Sequence, residues 1–231
     1  ELIKSLNDLV SNFTDISKDT PYKLIKGIGD DAAIWHSPES TQLLTTDTSV
    51  QGVHFQFQPP SWHDVGWKAM IANLSDIAAM GGIPVYAVIT LGLDPKEYVR
   101  HVMALYGGII QAACKYACQI VGGDIVRSTQ QFISIALLGY SPHKPLTRTG
   151  ALAGESIAVT GALGGSLAGL KLLTERNSKV FRVLSLADRE KLIEIHTRPA
   201  IARINEGWLL ATANASSAID ISDGLYSDLA K

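Results

Sequence analysis

An unbroken apolar segment, Ile83 to Leu93, lies between two segments of helical pattern and constrains the fold more than any other feature. It is far shorter than the ~20 residues that a membrane-spanning helix needs, and Pro84 to Leu93 is typical of a buried strand. The preceding helix is predicted from a capping box at Ser61 to about Met80, where two glycines follow. The next is predicted from an N-cap at Asp94, with Pro95 in the first position, to about Cys118.

Shorter strand patterns complete the first part of the chain. They cover Ala32–Trp35, Gln42–Thr46, Ile120–Val121 and Phe132–Tyr140, and a turn is predicted at Gly122-Gly123-Asp124. The resulting β-α-β-α-β order predicts an α/β (α+β) fold built on a split βαβ unit. Because a sheet with an uncovered apolar face must bury it, we expect this sheet to form a homodimer.

A proline-rich stretch, Ser141-Pro142-His143-Lys144-Pro145, predicts a domain boundary. We therefore expect an N-terminal domain at 1–140, a linker at 141–150 and a second domain at 151–231. Strand patterns at Ser156–Thr160 and Ser217–Ile219 accompany helical patterns up to Leu173, at Leu186–His196 and at Ala200–Thr212. Because so few strands make an incomplete sheet, we expect a second, incomplete α/β domain in a truncated chain.

Composition excludes several classes of protein. Hydrophobic residues make up 46% of the chain, which is enough for a core and excludes intrinsic disorder. The formal net charge is −2, without the excess of Lys and Arg that nucleic-acid binding requires. The two cysteines cannot form a disulfide framework. We therefore expect a cytoplasmic protein that binds neither nucleic acid nor a membrane.

Aspartates in loops flanked by Gly or Thr carry the main chemical signal. Carboxylate and hydroxyl oxygens are the ligands that Mg²⁺ prefers, and bound cations let an acidic pocket accept anionic phosphates. Any single Asp can instead cap a helix or close a turn, which is how we interpret Asp64, Asp94 and Asp188. The concentration of the others in such loops favours a metal site; these are Asp30, Asp31, Asp47, Asp76, Asp124, Asp220 and Asp223.

Other candidate residues carry weaker signals. The Gly161–Ser166 loop joins a predicted strand to a helix, but it lacks the spacing of a Walker A or dinucleotide loop and is more typical of tight packing. Arg148 is a possible phosphate ligand or a solvated loop charge. His54, taken alone, is more typical of a structural histidine. Cys114 and Cys118 lack the partners of a metal site and are assigned to the core.

Seven motifs occur in an order that resembles the thiamine-monophosphate kinase family, in the aminoimidazole-ribonucleotide synthetase superfamily. The resemblance covers almost the whole chain. It implies ATP- and Mg²⁺-dependent transfer of a phosphoryl group to thiamine monophosphate, with two α/β domains and N-terminal sheets paired across a homodimer. The motifs are Gly27-Ile28-Gly29-Asp30-Asp31-Ala32, Thr45-Thr46-Asp47-Thr48, Gly52-Val53-His54-Phe55, Asn73 through Gly81, Gly122-Gly123-Asp124, Leu146-Thr147-Arg148-Thr149-Gly150 and Asp220-Ile221-Ser222-Asp223-Gly224-Leu225.

The resemblance also implies a role for individual residues. It implies that His54 contacts the thiamine phosphate, and that ATP contacts Tyr106, Gly123, Asp124, Arg148 and Ser222. Catalytic roles fall to Asp47, Asp124 and Asp223. Several Mg²⁺ ions would be held by Asp30, Thr45, Thr46, Asp47, Asp76, Asp124, Asp220 and Asp223.

Two other functions stay open at this point. One is another ATP-dependent synthetase of the same superfamily, although His54 and the motif from Leu146 to Gly150 favour the kinase. The other is a fragment that binds nucleotide or metal without catalysis. The resemblance implies further motifs beyond Lys231 that help to hold thiamine, so we expect the substrate side of the site to be incomplete.

Overall fold

The computed structural model describes residues 2–12, 21–28, 32–56, 61–175 and 179–231, with the side chains of 179 and 180 left undescribed. Its elements follow the predicted alternation of helices and strands. In chain order they are α1 (Leu2–Ser11), β1 (Lys23–Lys26), β2 (Ile34–His36), β3 (Thr41–Val50), α2 (Trp62–Ala79), β4 (Ile83–Leu93), α3 (Val99–Lys115), β5 (Gln119–Arg127), β6 (Phe132–Ser141), α4 (Gly165–Thr174), a 3₁₀ helix (Lys179–Val183), α5 (Leu186–Thr197), α6 (Ile204–Thr212) and α7 (Leu225–Leu229).

The main sheet has the strand order β3-β6-β4-β5. β6 is antiparallel to both β3 and β4, whereas β4 and β5 are parallel and joined by α3. β1 and β2 form a separate antiparallel pair. The mixed α/β fold class is therefore confirmed, while the division at 141–150 stays a prediction. No helix in the described ranges is both long and apolar enough to cross a membrane.

One face of the main sheet is covered by α2 and α3, which form the core with it. Met70, Leu74, Ile89, Ile109 and Ile135 are among its fully buried side chains. A smaller cluster on the other face packs Tyr22 against Val85, Tyr86 and Val121. This arrangement follows from the burial pattern of β6, in which every second residue is buried.

The strand that follows α3 differs from its prediction. The glycine turn expected at 122–124 is wrong, because Gly122, Gly123 and Asp124 lie within β5 and pair with β4. A side chain at Gly123 could not fit, since its Cβ would lie 2.1 Å from the carbonyl oxygen of Ile89. These glycines therefore permit close strand pairing where the local pattern indicated a turn.

The start of α3 and the second part of the chain also differ from expectation. α3 begins at Val99, because Asp94 accepts a hydrogen bond from the Lys96 amide in a turn before the helix. The strands predicted at 156–160 and 217–219 are wrong, since the described residues there join no sheet. Extended apolar sequence becomes a strand only when a neighbouring strand accepts its hydrogen bonds, and Ile157 remains largely exposed.

Candidate functional site

Asp47 lies on β3 where that strand passes the middle of α2. Its backbone amide donates to Oδ1 of the buried Asn73 side chain at 3.1 Å. Nδ2 of the same side chain donates to the Ala69 carbonyl at 3.0 Å. Burial raises the pKa of Asp47, the charge of Asp220 raises it further, and His54 lowers it. Helix α2 therefore fixes the backbone of β3 at Asp47, whose carboxylate is close enough to Asp220 for their charges to interact.

Asp76 lies on α2, one turn after Asn73. The hydroxyl of Thr45 donates to its Oδ2 at 2.5 Å, which ties the helix to β3 a second time. Burial raises the pKa of Asp76, while the Thr45 hydrogen bond and the charge of Arg148 oppose that rise, and Asp47 adds to it. The charges of Asp47 and Asp76 thus repel each other.

Asp220 brings a third carboxylate from a segment far along the chain. Its Oδ2 accepts from the Ser75 hydroxyl at 3.2 Å. Burial raises the pKa of Asp220, the charge of Asp76 raises it further, and Arg148 lowers it. The structure therefore brings Asp47, Asp76 and Asp220 together. The positive charge of Arg148 lowers the pKa values of both Asp76 and Asp220.

This group of acids has the chemistry of a cation site but not a finished ligand shell. Carboxylate and hydroxyl oxygens are hard ligands suited to Mg²⁺, and neighbouring acids with raised pKa values are relieved by a bound cation. Within the described ranges, no three His, Cys, Asp or Glu side chains already surround one point closely enough to hold a metal. An ion held by these acids would need further ligands, such as phosphate oxygens and water.

Comparisons with known proteins give the same family as the motifs. Residues 29–141 match the family described as AIR synthase related protein, N-terminal domain. A crystal structure of thiamine-monophosphate kinase from Stenotrophomonas maltophilia is similar at a TM-score of 0.83 and 32% identity, over 97% of this chain and 69% of that one. This chain belongs to the thiamine-monophosphate kinase family.

Two further comparisons, one of sequence and one of structure, match the same family. The thiamine-monophosphate kinase of Aquifex aeolicus is 41% identical over 88% of this chain, which spans 63% of that relative's length. A solved structure of AaThiL, complexed with AMPPCP and TMP, matches at a TM-score of 0.75 and 36% identity, over 97% of this chain and 67% of that one.

Not every residue implied by the family resemblance lies beside Asp47. Thr46 is on the opposite face of β3 from Thr45 and Asp47, because side chains alternate along a strand. Asp124 lies on β5, in register across the sheet with Thr90, Ser134 and Thr48. Three strand spacings separate β5 from β3, or about 14 Å in the direction of the hydrogen bonds. The metal roles of Thr46 and Asp124 stay predictions.

His54 lies in the turn after β3, where Gly52 has a φ of +81° that suits glycine. The Val50 amide donates to its Nδ1 at 3.1 Å, so a neutral imidazole carries its proton on Nε2. The charge of His54 lowers the pKa of Asp47, while burial and Asp220 raise it. The contact of His54 with the thiamine phosphate stays a prediction.

The remaining predicted residues lie apart from this group or outside the described ranges. Tyr106 is buried in the core, and burial raises its pKa to about 12. Asp223 is exposed and pairs with Lys231 at 2.8 Å, while Ser222 lies in the same exposed loop. Asp30 falls at 29–31, outside the described residues. The ATP, catalytic and metal roles given to these residues stay predictions.

Sequence reasoning missed the residues that hold the acids in place. Asn73 and Ser75 belong to a motif that was noted, but no role was assigned to them. Their signal was their spacing, since both lie within one helical turn of Asp76. Asp228 was also missed: it is buried and accepts hydrogen bonds from the amides of Asp223 and Gly224 at the start of α7.

Proposed function

We propose that this protein transfers the γ-phosphoryl group of ATP to thiamine monophosphate, giving thiamine diphosphate and ADP. The observation that carries the proposal is the convergence of Asp47, Asp76 and Asp220 with Arg148, in a family whose relative AaThiL was solved with AMPPCP and TMP. With Mg²⁺ bound, such a site would neutralise phosphate charge and align the two reacting phosphates, which is the main requirement of phosphoryl transfer.

Mg²⁺ is the cofactor that this set of donors fits. Asp47, Asp76 and Asp220, with the hydroxyl of Thr45, would hold the ions. When bound, Mg²⁺ supplies the positive charge that lets anionic phosphates enter an acidic pocket. The protein's part is to keep the carboxylates fixed, which the hydrogen bonds from Thr45 to Asp76 and from Ser75 to Asp220 do.

Arg148 and His54 would act on the phosphates directly. Arg148 already lies close enough to Asp76 and Asp220 to lower their pKa values, and a guanidinium can bind two phosphate oxygens at once. The Nε2–H of His54 would donate to the phosphate of the acceptor. No general base is required, because a phosphate monoester with a last pKa of about 6 is already an anion at neutral pH.

The same proposal includes a homodimer formed through the main sheet. Its outer face leaves Leu44 77% and Val88 40% exposed, beyond the part covered by the Tyr22 cluster. A second copy would bury these side chains. Asp124 would then face the second copy rather than Asp47 of its own chain.

Both cysteines are free thiols, consistent with a reducing cytoplasmic location.

The test is a product assay on the full natural chain. The protein is incubated with ATP, thiamine monophosphate and MgCl₂, and thiamine diphosphate and ADP are measured by chromatography. We expect the two products in equal amounts, and neither when EDTA removes the metal. ADP release without thiamine diphosphate would favour another ATP-dependent synthetase. Binding of MgATP without turnover would favour a non-catalytic module.

The role of His54 predicts a selective kinetic change. His54→Ala should raise the KM for thiamine monophosphate or lower turnover, while MgATP binding stays nearly unchanged, because the imidazole is proposed to contact the acceptor alone. Steady-state kinetics with each substrate varied in turn, together with MgATP calorimetry, measure this. Weakened MgATP binding with normal acceptor kinetics would place His54 on the nucleotide side instead.

A further inference from the structure

A series of hydrogen bonds connects the turn before α3 to the turn that carries His54. The side chain of Glu97 is only 13% exposed, although Glu97 immediately precedes Tyr98, the N-cap of α3. Its Oε2 accepts from the Gln131 side-chain amide at 2.7 Å, and its Oε1 lies 2.6 Å from Nδ1 of His101 and 2.9 Å from the Tyr98 amide. Both carboxylate oxygens therefore have partners within the protein.

Gln131 carries the connection onward to the turn. Its backbone carbonyl accepts from the Gln51 amide at 2.9 Å, and the side chain of Gln130 donates to the Gln51 carbonyl at 3.1 Å. Gln51 is the first residue of the turn, which then closes through the Gly52 amide to the Phe55 carbonyl at 2.8 Å. The His54 amide donates to the Val50 carbonyl at 2.8 Å. Hydrogen bonds thus join Glu97 to Gln131 and Gln131 to Gln51, and the backbone of the turn continues from Gln51 to His54.

These hydrogen bonds contribute less to folding stability than apolar side chains in the same place would. Burial raises the pKa of Glu97, but the hydrogen bonds from Gln131, His101 and Tyr98 together lower it, so the carboxylate remains charged. The Oε1 of Gln131 is buried and has no partner among the residues that the structure describes. A buried amide with one unsatisfied atom is destabilising, and apolar side chains would fill the same space without that penalty.

We infer that Glu97 is a positioning residue for the acceptor side of the site, and that it acts through Gln131 to hold the His54 turn. The inference rests on the proposed function, in which His54 binds the phosphate of the acceptor. Glu97 itself touches neither Asp47, Asp76 nor Asp220 in the described contacts. It should therefore affect acceptor binding and leave the metal and nucleotide side unchanged.

The first measurement does not depend on activity. Amide hydrogen exchange is followed in the ligand-free full chain at Gln51, Gly52 and His54. Glu97→Ala should speed exchange at these amides by about tenfold or more, because the turn loses its anchor. Asp188→Ala, which removes a comparable acid from the start of α5, should leave them unchanged. Unchanged exchange in Glu97→Ala overturns the inference.

Two further variants test the route. Gln131→Met keeps the length of the side chain but removes the donor, so it should reproduce the faster exchange of Glu97→Ala. Glu97→Gln keeps a carbonyl oxygen for Gln131 and should retain most of the protection. If Gln131→Met leaves the turn protected, Glu97 does not act through Gln131 and the inference fails.

The kinetic measurement links the turn to the acceptor. Glu97→Ala should raise the KM for thiamine monophosphate by about tenfold while the KM for MgATP changes less than about twofold, and the effect should vanish in a His54→Ala background. Additive effects of the two substitutions overturn the inference. If wild type makes no thiamine diphosphate although exchange responds as expected, the proposed function fails, and the acceptor role of Glu97 fails with it.

Discussion

Asp76 is the residue at which the acidic group is most tightly connected. It accepts the Thr45 hydroxyl, and its charge raises the pKa of Asp220 while its own pKa is raised by burial and by Asp47. An ionised carboxylate in this position stabilises a bound cation but destabilises the metal-free fold. A charge on Asp76 therefore favours the proposed function but lowers the stability of the metal-free fold.

Asp76→Asn should separate those two effects. The amide can still accept from Thr45, and removal of the charge should leave the metal-free protein at least as stable at pH 7, as measured by urea unfolding. Loss of an ionic ligand should cost about 3 kcal/mol of transition-state stabilisation, or about a hundredfold in rate. Asp188→Asn, remote from the site, is the control. Full activity in Asp76→Asn would contradict a metal role for this residue.

At the scale of elements, the site depends on how closely α2 and α3 pack. Gly108 on α3 faces α2 so closely that a Cβ there would lie 1.9 Å from the His63 carbonyl oxygen. Gly66 on α2 faces α3 in the same way, since a Cβ there would lie 2.0 Å from the carbonyl oxygen of Leu105. The backbone contact at these glycines sets the position of α2, and so of Asn73 and Asp76.

Two adjacent glycines of α3 give a matched test of this packing. Gly108→Ala should destabilise the protein by about 2–3 kcal/mol, because backbone must move to admit the methyl group. Gly107→Ala should stabilise it by up to about 1 kcal/mol, because the nearest atom to its Cβ would be His63 Cδ2 at 3.7 Å and alanine favours helix. Urea denaturation measures both. Equal stabilities of the two variants would show that the helices are not in tight contact.

Polar contacts near the end of α5 connect the second part of the chain to α2. Trp67 donates to the Pro199 carbonyl at 2.7 Å, and the guanidinium of Arg198 lies 5.0 Å from the Trp67 ring. His196 lies between Lys68 of α2, at 3.4 Å from Nε2, and Ser166 of α4, at 3.0 Å from Nδ1. A histidine that contacts a lysine makes this junction sensitive to pH.

Stability should therefore fall in mildly acidic solution through His196. Burial lowers the pKa of His196, Lys68 lowers it further, and the hydrogen bond with Ser166 opposes them. Since the folded pKa lies below the unfolded value of about 6.5, the stabilising contribution is present above pH 6.5 and is lost as pH falls through the folded pKa. His196→Gln should lose less stability than wild type between about pH 7 and 5 in urea unfolding. Parallel pH profiles would contradict this.

At the scale of the whole molecule, the two faces of the main sheet are covered to different extents. α2 and α3 cover one face, while the β1–β2 pair covers only part of the other. Leu44, Val88 and Val126 stay exposed on the strands of the main sheet. A surface of this kind favours association, and its position next to Thr48 and Asp124 places any partner beside the proposed nucleotide side.

The oligomeric state is predicted to depend on this outer face. Wild type should sediment as a dimer at micromolar concentration, and Leu44→Asp should shift it to monomer, because a charge would have to be buried without a partner. Leu186→Lys is the control, since Leu186 and Leu44 are each 77% exposed and only Leu44 lies on the sheet. A monomeric wild type, or a dimer lost equally in both variants, would rule out this interface.

Local pattern determined most of the elements that position the site. The capping box at Ser61 marks the start of α2, and the apolar segment after Gly82 became β4. Helix periodicity and capping depend on residues a few positions apart, so they can be predicted from sequence alone. The Gly- and Thr-flanked aspartates were expected in loops, but Asp47 lies on β3, Asp76 on α2 and Asp124 on β5.

Tertiary structure alone decided which of those acids meet. Asp47, Asp76 and Asp220 converge because α2 packs on β3 and the segment after α6 returns to Ser75. Asp124, which has the same kind of local signal, lies on the far strand because β6 and β4 intervene. The extended pattern at 156–160 formed no strand, whereas the glycines at 122–123 did. Strand pairing and charge proximity depend on partners distant in sequence, so no local pattern can specify them.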